Sequence, residues 1–341
     1  MHAGDATREA RSKPIPSHAA AGRAQPVMPP GLSSRRRFPR AERRRRTALR
    51  PLPPARAFLH IVHMPAKLTP VTKPAPIRIG TQGWNYDAWV VPFYPIGTHQ
   101  ADFLGIYARA FDTVEVDSTF YAIPPAKTVR GWADRTPKGF TFALKLPQEI
   151  THEKRFRDVA DVAKLFFDRA RELGDKLGAI LIQLGPDFEL SELPALARFL
   201  PILPADIRFA VEFRRRSWIN DGVLALLADH RVALTLTDGR WIPRKVMLGL
   251  ATRPTTDFLY VRLMGADRDI VDYSRVQMDR TNELELWSGV LWPAAEQGRT
   301  VYVYVNNHFA GHSPASAREL QRFMRQTPVD PEKLGEQLLL F

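Results

Sequence analysis

Cysteine is absent from the 341-residue chain. That excludes a disulfide framework and any thiolate nucleophile or thiolate-bound metal. A metal would have to rest on carboxylate, imidazole, amide or water ligands. Long apolar runs are missing too. None approaches the ~18–20 residues that a membrane-spanning helix needs, so no membrane partner is expected. No His-x-His or His-Glu-x-x-His spacing occurs, which leaves zinc little to stand on. No GxGxxG follows the first predicted strand, and no GxSxG surrounds Ser118, which reads as a turn hydroxyl.

What the chain has in excess is arginine, and it is unevenly placed. Residues 1–63 carry fourteen Arg and Lys against three acids, so of the net +13 only +2 belongs to the remaining residues. The basic balance therefore gives no bulk argument for nucleic acid on the folded part. The first segment, with triplet Arg35–Arg37 and quartet Arg43–Arg46, shows neither a period of two nor one of 3.6. It is expected to be a disordered extension over residues 1–70. Two readings of it stand: a polybasic or targeting arm, or a dispensable extension from an early start, with Met64 the natural first residue. The second is preferred.

From residue 71 to the end, apolar runs alternate with helical periodicities. Strands are predicted at Ile77–Gln82, Thr113–Asp117, Phe140–Leu146, Ala179–Leu184, Arg208–Arg214, Val232–Asp238, Phe258–Met264 and Val301–Asn306. Helices are predicted at Gln100–Ala110, Ala126–Asp134, Asp158–Leu173, Leu193–Leu200, Val223–His230, Asn282–Gln297 and Pro314–Gln326. Val159, Val162, Phe166, Ala170 and Leu173 make one apolar stripe, the signature behind the third of these. The stretch from Gly239 to Asp257, holding Pro243 and Pro254, reads as irregular. Eight strands alternating with helices over this length predict a single-domain TIM-type (β/α)8 barrel at 71–341.

In such barrels the site lies where the strands end. Here those ends carry Gly83 and Trp84, then Glu115 and Asp117, Lys145, Gln183, Glu212 and Arg214, Asp238, Arg262, and Asn306 to His308. Side chains alternate along a strand, so Glu115 shares a face with Asp117 and Glu212 shares one with Arg214. Ionic groups inside a barrel need partners or a wet pocket. Two readings follow: an Arg214–Glu212 and Arg262–Glu115 ion-pair plug, or a polar ligand pocket at the barrel mouth. The second is preferred. Within it, Glu212 is a candidate base or metal ligand and Glu115 a candidate acid or second ligand. Lys145, Arg214 and Arg262 are candidate anion clamps. A divalent metal on Glu115, Glu212 and Asp238 is considered, as is a glycosidase-like glutamate pair.

The segment after the last strand adds an anion-site candidate: Ser313 as N-cap, Pro314 at the first helical position and free N–H groups beyond. His152, His308 and His312 fall on loops at the same end. Trp84, Tyr86, Trp89, Phe93, Tyr94, Phe120, Tyr121 and Trp218 are either stacking platforms or loop packing, and packing is the preferred reading.

The motifs IGTQGWNYDAWVVPFYP, FDTVEVDSTFYAIP, WADRTPKGFTFALKLPQEITH, LIQLGP, FAVEFRRRSW and VYVYVNNHFAGHSPASA together resemble the YecE-like family, domain of unknown function 72. The resemblance covers about residues 77–325 and implies a TIM-type barrel, without implying an activity. It places recurrent polar positions on Gly83, Trp84, Glu115, Phe120, Tyr121, Lys145, Thr151, His152, Gln183, Glu212, Arg214, Trp218, Arg262 and Asn307. Where many members carry a histidine after strand seven, this chain has Met264, so that role is either absent or falls to His308. The expected function is binding of a small anionic ligand, phosphorylated or sugar-like, at the C-terminal mouth of the barrel, with hydrolase or lyase chemistry on it. A non-catalytic scaffold and a metal-dependent nucleic-acid protein are the alternatives, and a cytoplasmic location is expected.

Overall fold

The computed structural model describes residues 74–266 and 269–336. The extension expected over residues 1–70 lies outside the described residues. The strands are β1 (Ile77–Gln82), β2 (Thr113–Val116), β3 (Thr141–Lys145), β4 (Leu177–Gln183), β5 (Phe209–Glu212), β6 (Val232–Gly239), β7 (Phe258–Gly265) and β8 (Thr300–Val305). They pair in parallel in chain order and close, β8 on β1, into a barrel. Outside it lie α1 (Phe103–Ala110), α2 (Ala126–Asp134), α3 (Ala160–Arg171), α4 (Leu193–Phe199), α5 (Asp221–Asp229), α6 (Arg244–Leu250) and α7 (Thr281–Glu296). The short α8 (Asn307–Ala310) and then α9 (Ser313–Phe323) follow the last strand, and α10 (Lys333–Glu336) comes last.

Two apolar faces explain why the strands read as unbroken hydrophobic runs. Outward residues such as Ile79, Val114, Phe142, Ile180, Val211, Leu236, Val261 and Val303 join the helices in one core. Inward, Ala143, Ala179, Ala210 and Ala233 leave room that Phe258, Tyr260, Tyr302 and Tyr304 fill. Apart from Leu181, small residues on β3–β6 thus oppose large rings on β7–β8, and the interior is packed rather than hollow. The ring hydroxyls need partners there. Tyr304 meets the Thr113 hydroxyl at 2.9 Å, and Thr141 donates to the same hydroxyl at 3.0 Å.

Glycine is required where β1 approaches β2. A Cβ on Gly80 would stand 2.0 Å from the carbonyl oxygen of Thr113 and 2.8 Å from the Tyr107 hydroxyl. That hydroxyl donates to the Thr113 carbonyl and accepts from the Thr81 amide, so α1 locks β1 to β2 through one ring.

The predicted strand ends move by at most two residues, and the start of α1 by three. Asp117 opens a short 3-10 helix (Asp117–Phe120), Arg214 lies beyond β5, and α1 starts at Phe103 rather than Gln100. One larger correction concerns the sixth connection, which contains α6 instead of being irregular. Its prolines bracket the helix: Pro243 sits at the N-cap with extended backbone, and Pro254 comes after the C-cap Ala251. Met247 and Leu250, one turn apart, are its buried contacts.

Candidate functional site at the barrel mouth

Each strand delivers a polar side chain to the last inward position of the barrel: Gln82, Glu115, Lys145, Gln183, Glu212, Thr237, Arg262 and Asn306. Arg262 is the centre. Its side chain is only 1% exposed, beside Glu115 at 0%. Nε donates to both Glu115 oxygens at 3.1 and 3.0 Å, and Nη2 donates to Oε1 at 2.7 Å. Nη1 donates to the Glu212 carboxylate and, at 3.1 Å, to the Gln183 amide oxygen. The Gln82 amide, turned with its oxygen to the guanidinium, accepts from Nε and Nη2 at 3.1 and 3.0 Å. Tyr260, one inward position below Arg262, donates its hydroxyl to Glu115 at 2.6 Å.

Nearer the opening, Arg214 donates to Glu212 at 3.3 Å. Lys145 reaches Asp117 at 3.1 Å and stands 4.4 Å from the centre of the Phe120 ring. Phe120 meets His152 edge-on at 5.0 Å, and His152 Nδ1 pairs with the Thr151 hydroxyl at 2.8 Å. Thr119 stitches the floor by accepting from the Lys145 amide and donating to the Lys145 carbonyl, at 2.9 and 2.8 Å.

The two glutamates are driven apart electrostatically. Burial dominates at Glu115 and lifts its pKa above the ordinary value, although Arg262 opposes it. Burial pushes Glu212 the same way, but Arg262, Arg214 and Lys145 together outweigh it and hold that carboxyl below the usual range. Desolvation and then Arg214 lower His152. Carboxylates with diverging pKa values are the usual raw material of acid–base chemistry. Here, though, Glu115 is enclosed beneath Arg262 with both oxygens engaged. Its carboxylate thus holds Arg262 rather than facing the opening.

Several predicted residues stand elsewhere. Asp238 faces outward, because it shares parity with Leu236 rather than Thr237; it accepts from Arg244 at 2.5 Å and from the Trp287 indole at 2.8 Å. Glu115, Glu212 and Asp238 therefore do not form one ligand set. Among the described residues no group of three or more His, Asp or Glu could hold a metal ion. Trp218 is buried, stacked on Phe213 at 4.7 Å and Phe188 at 5.5 Å, and serves packing. Asn307 is equally structural, accepting from Ser313 N and Oγ at 3.0 and 2.8 Å and from Trp89 at 3.2 Å.

Ser313 is not the N-cap expected of it. It is the first residue of α9, His312 is the cap, and the Ser313 amide is spent on Asn307. The anion site proposed at that helix start loses its free donor. Asn306 caps α8 by accepting from the His308 amide at 2.8 Å, while the His308 ring meets the Tyr273 hydroxyl at 3.2 Å. Met264 rests its sulfur 2.8 Å from the Gln82 amide. Tyr121 points to solvent, 71% exposed. Gln82, Tyr260 and Thr119 belong to the site although sequence reasoning did not nominate them; strand parity with Gly80 and Arg262 would have found the first two.

Gly83, with φ of +74°, ends β1 in a turn that only glycine adopts freely. It sends Trp84 and Tyr86 over a cavity of about 560 Å3 between the β1 and β2 ends, whose wall includes Asp117.

A closed parallel barrel with a polar ring at the C-terminal ends of its strands defines a TIM-type barrel with its candidate site at the usual face. Within that class the chain belongs to the family described as "Protein of unknown function DUF72", whose model matches residues 78–337. It is 34% identical over 146 residues to the UPF0759 protein YecE of Escherichia coli K12, covering 43% of this chain and 51% of that protein. It is also 34% identical over 152 residues to the UPF0759 protein YunF of Bacillus subtilis, covering 42% and 52%. The chain thus spans about half the length of the curated relatives it matches. A DUF72 family protein from Thermotoga maritima superposes with a TM-score of 0.62 at 22% identity, over 74% of this chain and 100% of that one. One from Enterococcus faecalis gives 0.57 at 21%, over 74% and 99%. At those identities the likeness is one of fold.

Proposed function

We propose that the mouth of the barrel binds a small anionic metabolite, phosphorylated or sugar-like, and acts on it as a hydrolase or lyase. One observation carries this: all strands place a polar side chain in the last inward layer, whereas the layer below, though it holds Thr113 and Thr235, is filled mainly by alanines, Leu181 and aromatic rings. Packing alone does not call for that asymmetry. A buried ion-pair cluster is commonly no more stabilising than apolar residues of the same volume. Lys145 and Arg214, the network cations nearest the opening, are the ligand contacts in this reading, and Glu212, held ionised, is the base. Arg262 fixes Glu212, and Glu115 fixes Arg262.

The test is calorimetric titration with inorganic phosphate and a panel of phosphorylated metabolites. Lys145→Ala and Arg214→Ala should each weaken binding by roughly tenfold, about 1.4 kcal/mol. Glu212→Gln should leave binding in place and abolish turnover of whichever compound is consumed. Affinities indifferent to both cation variants would sink the reading. A second reading, a scaffold without turnover, has its own support: Glu115, Glu212 and Asp117 balance Lys145, Arg214 and Arg262 in formal charge, so the network closes on itself. A nucleic-acid partner has less, resting on the exposed Arg215 and Arg216 beside the mouth.

A further inference from the structure

The cavity beside the mouth has walls of two kinds. Trp84, Tyr86 and Trp132 supply aromatic surface. Asp117, Ser118, Asn85, Gln100 and Arg135 supply a carboxylate, a hydroxyl, two amides and a guanidinium, the last donating to the Ala101 carbonyl at 3.1 Å. The Trp84 and Trp132 rings meet at 80° with centroids 5.9 Å apart. They form a corner, not a slot. Trp132 is backed by Phe142 at 6.2 Å, which fixes its orientation, and the Trp84 carbonyl is held by the Tyr94 hydroxyl at 2.5 Å. A volume of about 560 Å3 lies within the range of small-ligand sites.

Asp117 joins this cavity to the polar ring, because the carboxylate that lines it also holds Lys145 at 3.1 Å. A ligand filling both places therefore has an anionic group at the mouth cations and an uncharged part in the corner. A corner covers one face and one edge of a compact ring. A flat base would be served by parallel rings that sandwich it. The polar groups around the corner can accept from several hydroxyls at once, Asp117 most strongly because it is charged.

We infer that this cavity takes the hydroxylated ring of a sugar phosphate, with its C–H face on Trp84 and its hydroxyls on Asp117. The inference rests on the anion reading above and adds the class of ligand and the second half of its site.

Isothermal titration of the full chain with inorganic phosphate, glucose 6-phosphate and AMP tests it. Glucose 6-phosphate should bind at least about tenfold tighter than inorganic phosphate. Trp84→Ala should remove that gain and leave the phosphate affinity unchanged, while Trp84→Phe, which keeps a ring, should retain most of it. Thermal melts of both variants check that the barrel is intact. Equal affinities for phosphate and sugar phosphate would overturn this inference and spare the anion reading. So would a Trp84→Ala variant that weakens both ligands alike. A larger gain for AMP than for glucose 6-phosphate would replace the sugar by a base. No binding of any of the three would overturn the anion reading, and this inference with it.

Discussion

Arg262 spreads its guanidinium over Glu115, Glu212, Gln183 and Gln82 in a space that excludes water. The energetics of such a residue are lopsided. The intact cluster is worth little net, because desolvation offsets attraction, but removing one member strands the others as buried, unpaired charges. Arg262→Leu is therefore expected to cost about 3–5 kcal/mol, measured by urea unfolding. Replacing Arg262, Glu115 and Glu212 together with apolar residues of similar volume should cost far less. Were the triple variant as damaged as the single one, the cluster would be stabilising in its own right.

Protonation gives a second handle on the same residues. Glu212 has a depressed folded-state pKa, so its ionised form contributes stability above the unfolded value of about 4.3. That contribution is lost as pH falls through the folded value. Glu115, whose pKa is raised, contributes with the opposite sign: its share is present below the unfolded value and lost as pH rises through the folded one. Urea midpoints of the parent chain and Glu212→Gln should accordingly differ most at pH 7 and converge as pH falls below about 4.3 and through the folded value. A gap that stayed constant over that range would mean Glu212 is not held ionised by its cationic neighbours.

At the scale of elements, what could be read in advance followed from how each signal is encoded. The strands were legible because both faces are buried, so each appears as an uninterrupted apolar run. The mouth was legible where a charge broke such a run, as at Glu115, Glu212 and Arg262. Helix α6 was hidden because its seven residues lie between two prolines that could equally have broken it. Asp238 was misplaced for another reason: a run buried on both sides does not announce which face its last residue joins, and only counting parity back through Leu236 shows that it points to α7. Ser313 has the composition of a cap, yet the cap was decided by Asn307, a partner brought in by tertiary packing.

Two glycines translate this scale into measurement. Gly80→Ala would drive a Cβ into the Thr113 carbonyl, a backbone atom that cannot step aside, and should prevent folding or cost several kcal/mol. Gly131 lies inside α2, and a Cβ there meets nothing within 4 Å. Gly131→Ala should stabilise the protein by about 0.5–1 kcal/mol, since alanine loses less backbone freedom on entering a helix. Thermal melts of the pair decide it. A tolerated Gly80→Ala would show that β1 does not approach β2 as closely as the Tyr107 bridge implies.

For the whole molecule, charge divides the chain more sharply than any other property. Fourteen of its 49 basic residues precede Met64, against three of its 36 acids, and the remainder is close to neutral. Nonspecific attraction to a phosphate backbone scales with the cations that can reach it and falls steeply with salt. The full chain should therefore be retained on duplex DNA at low ionic strength and released between about 50 and 200 mM salt. A chain beginning at Met64 should not be retained at all. If that shorter chain still binds with a steep salt slope, the attraction belongs to the barrel. The place to look would then be the lip of the mouth, where Arg240 stands 4.6 Å and Arg214 5.8 Å from the Trp241 ring. Cations beside an exposed ring suit a single strand better than a duplex, since they offer stacking as well as charge. Arg240→Ala with Trp241→Ala would then weaken single-stranded binding more than double-stranded. The same pair should leave glucose 6-phosphate unaffected if its ring lies across the barrel beside Trp84.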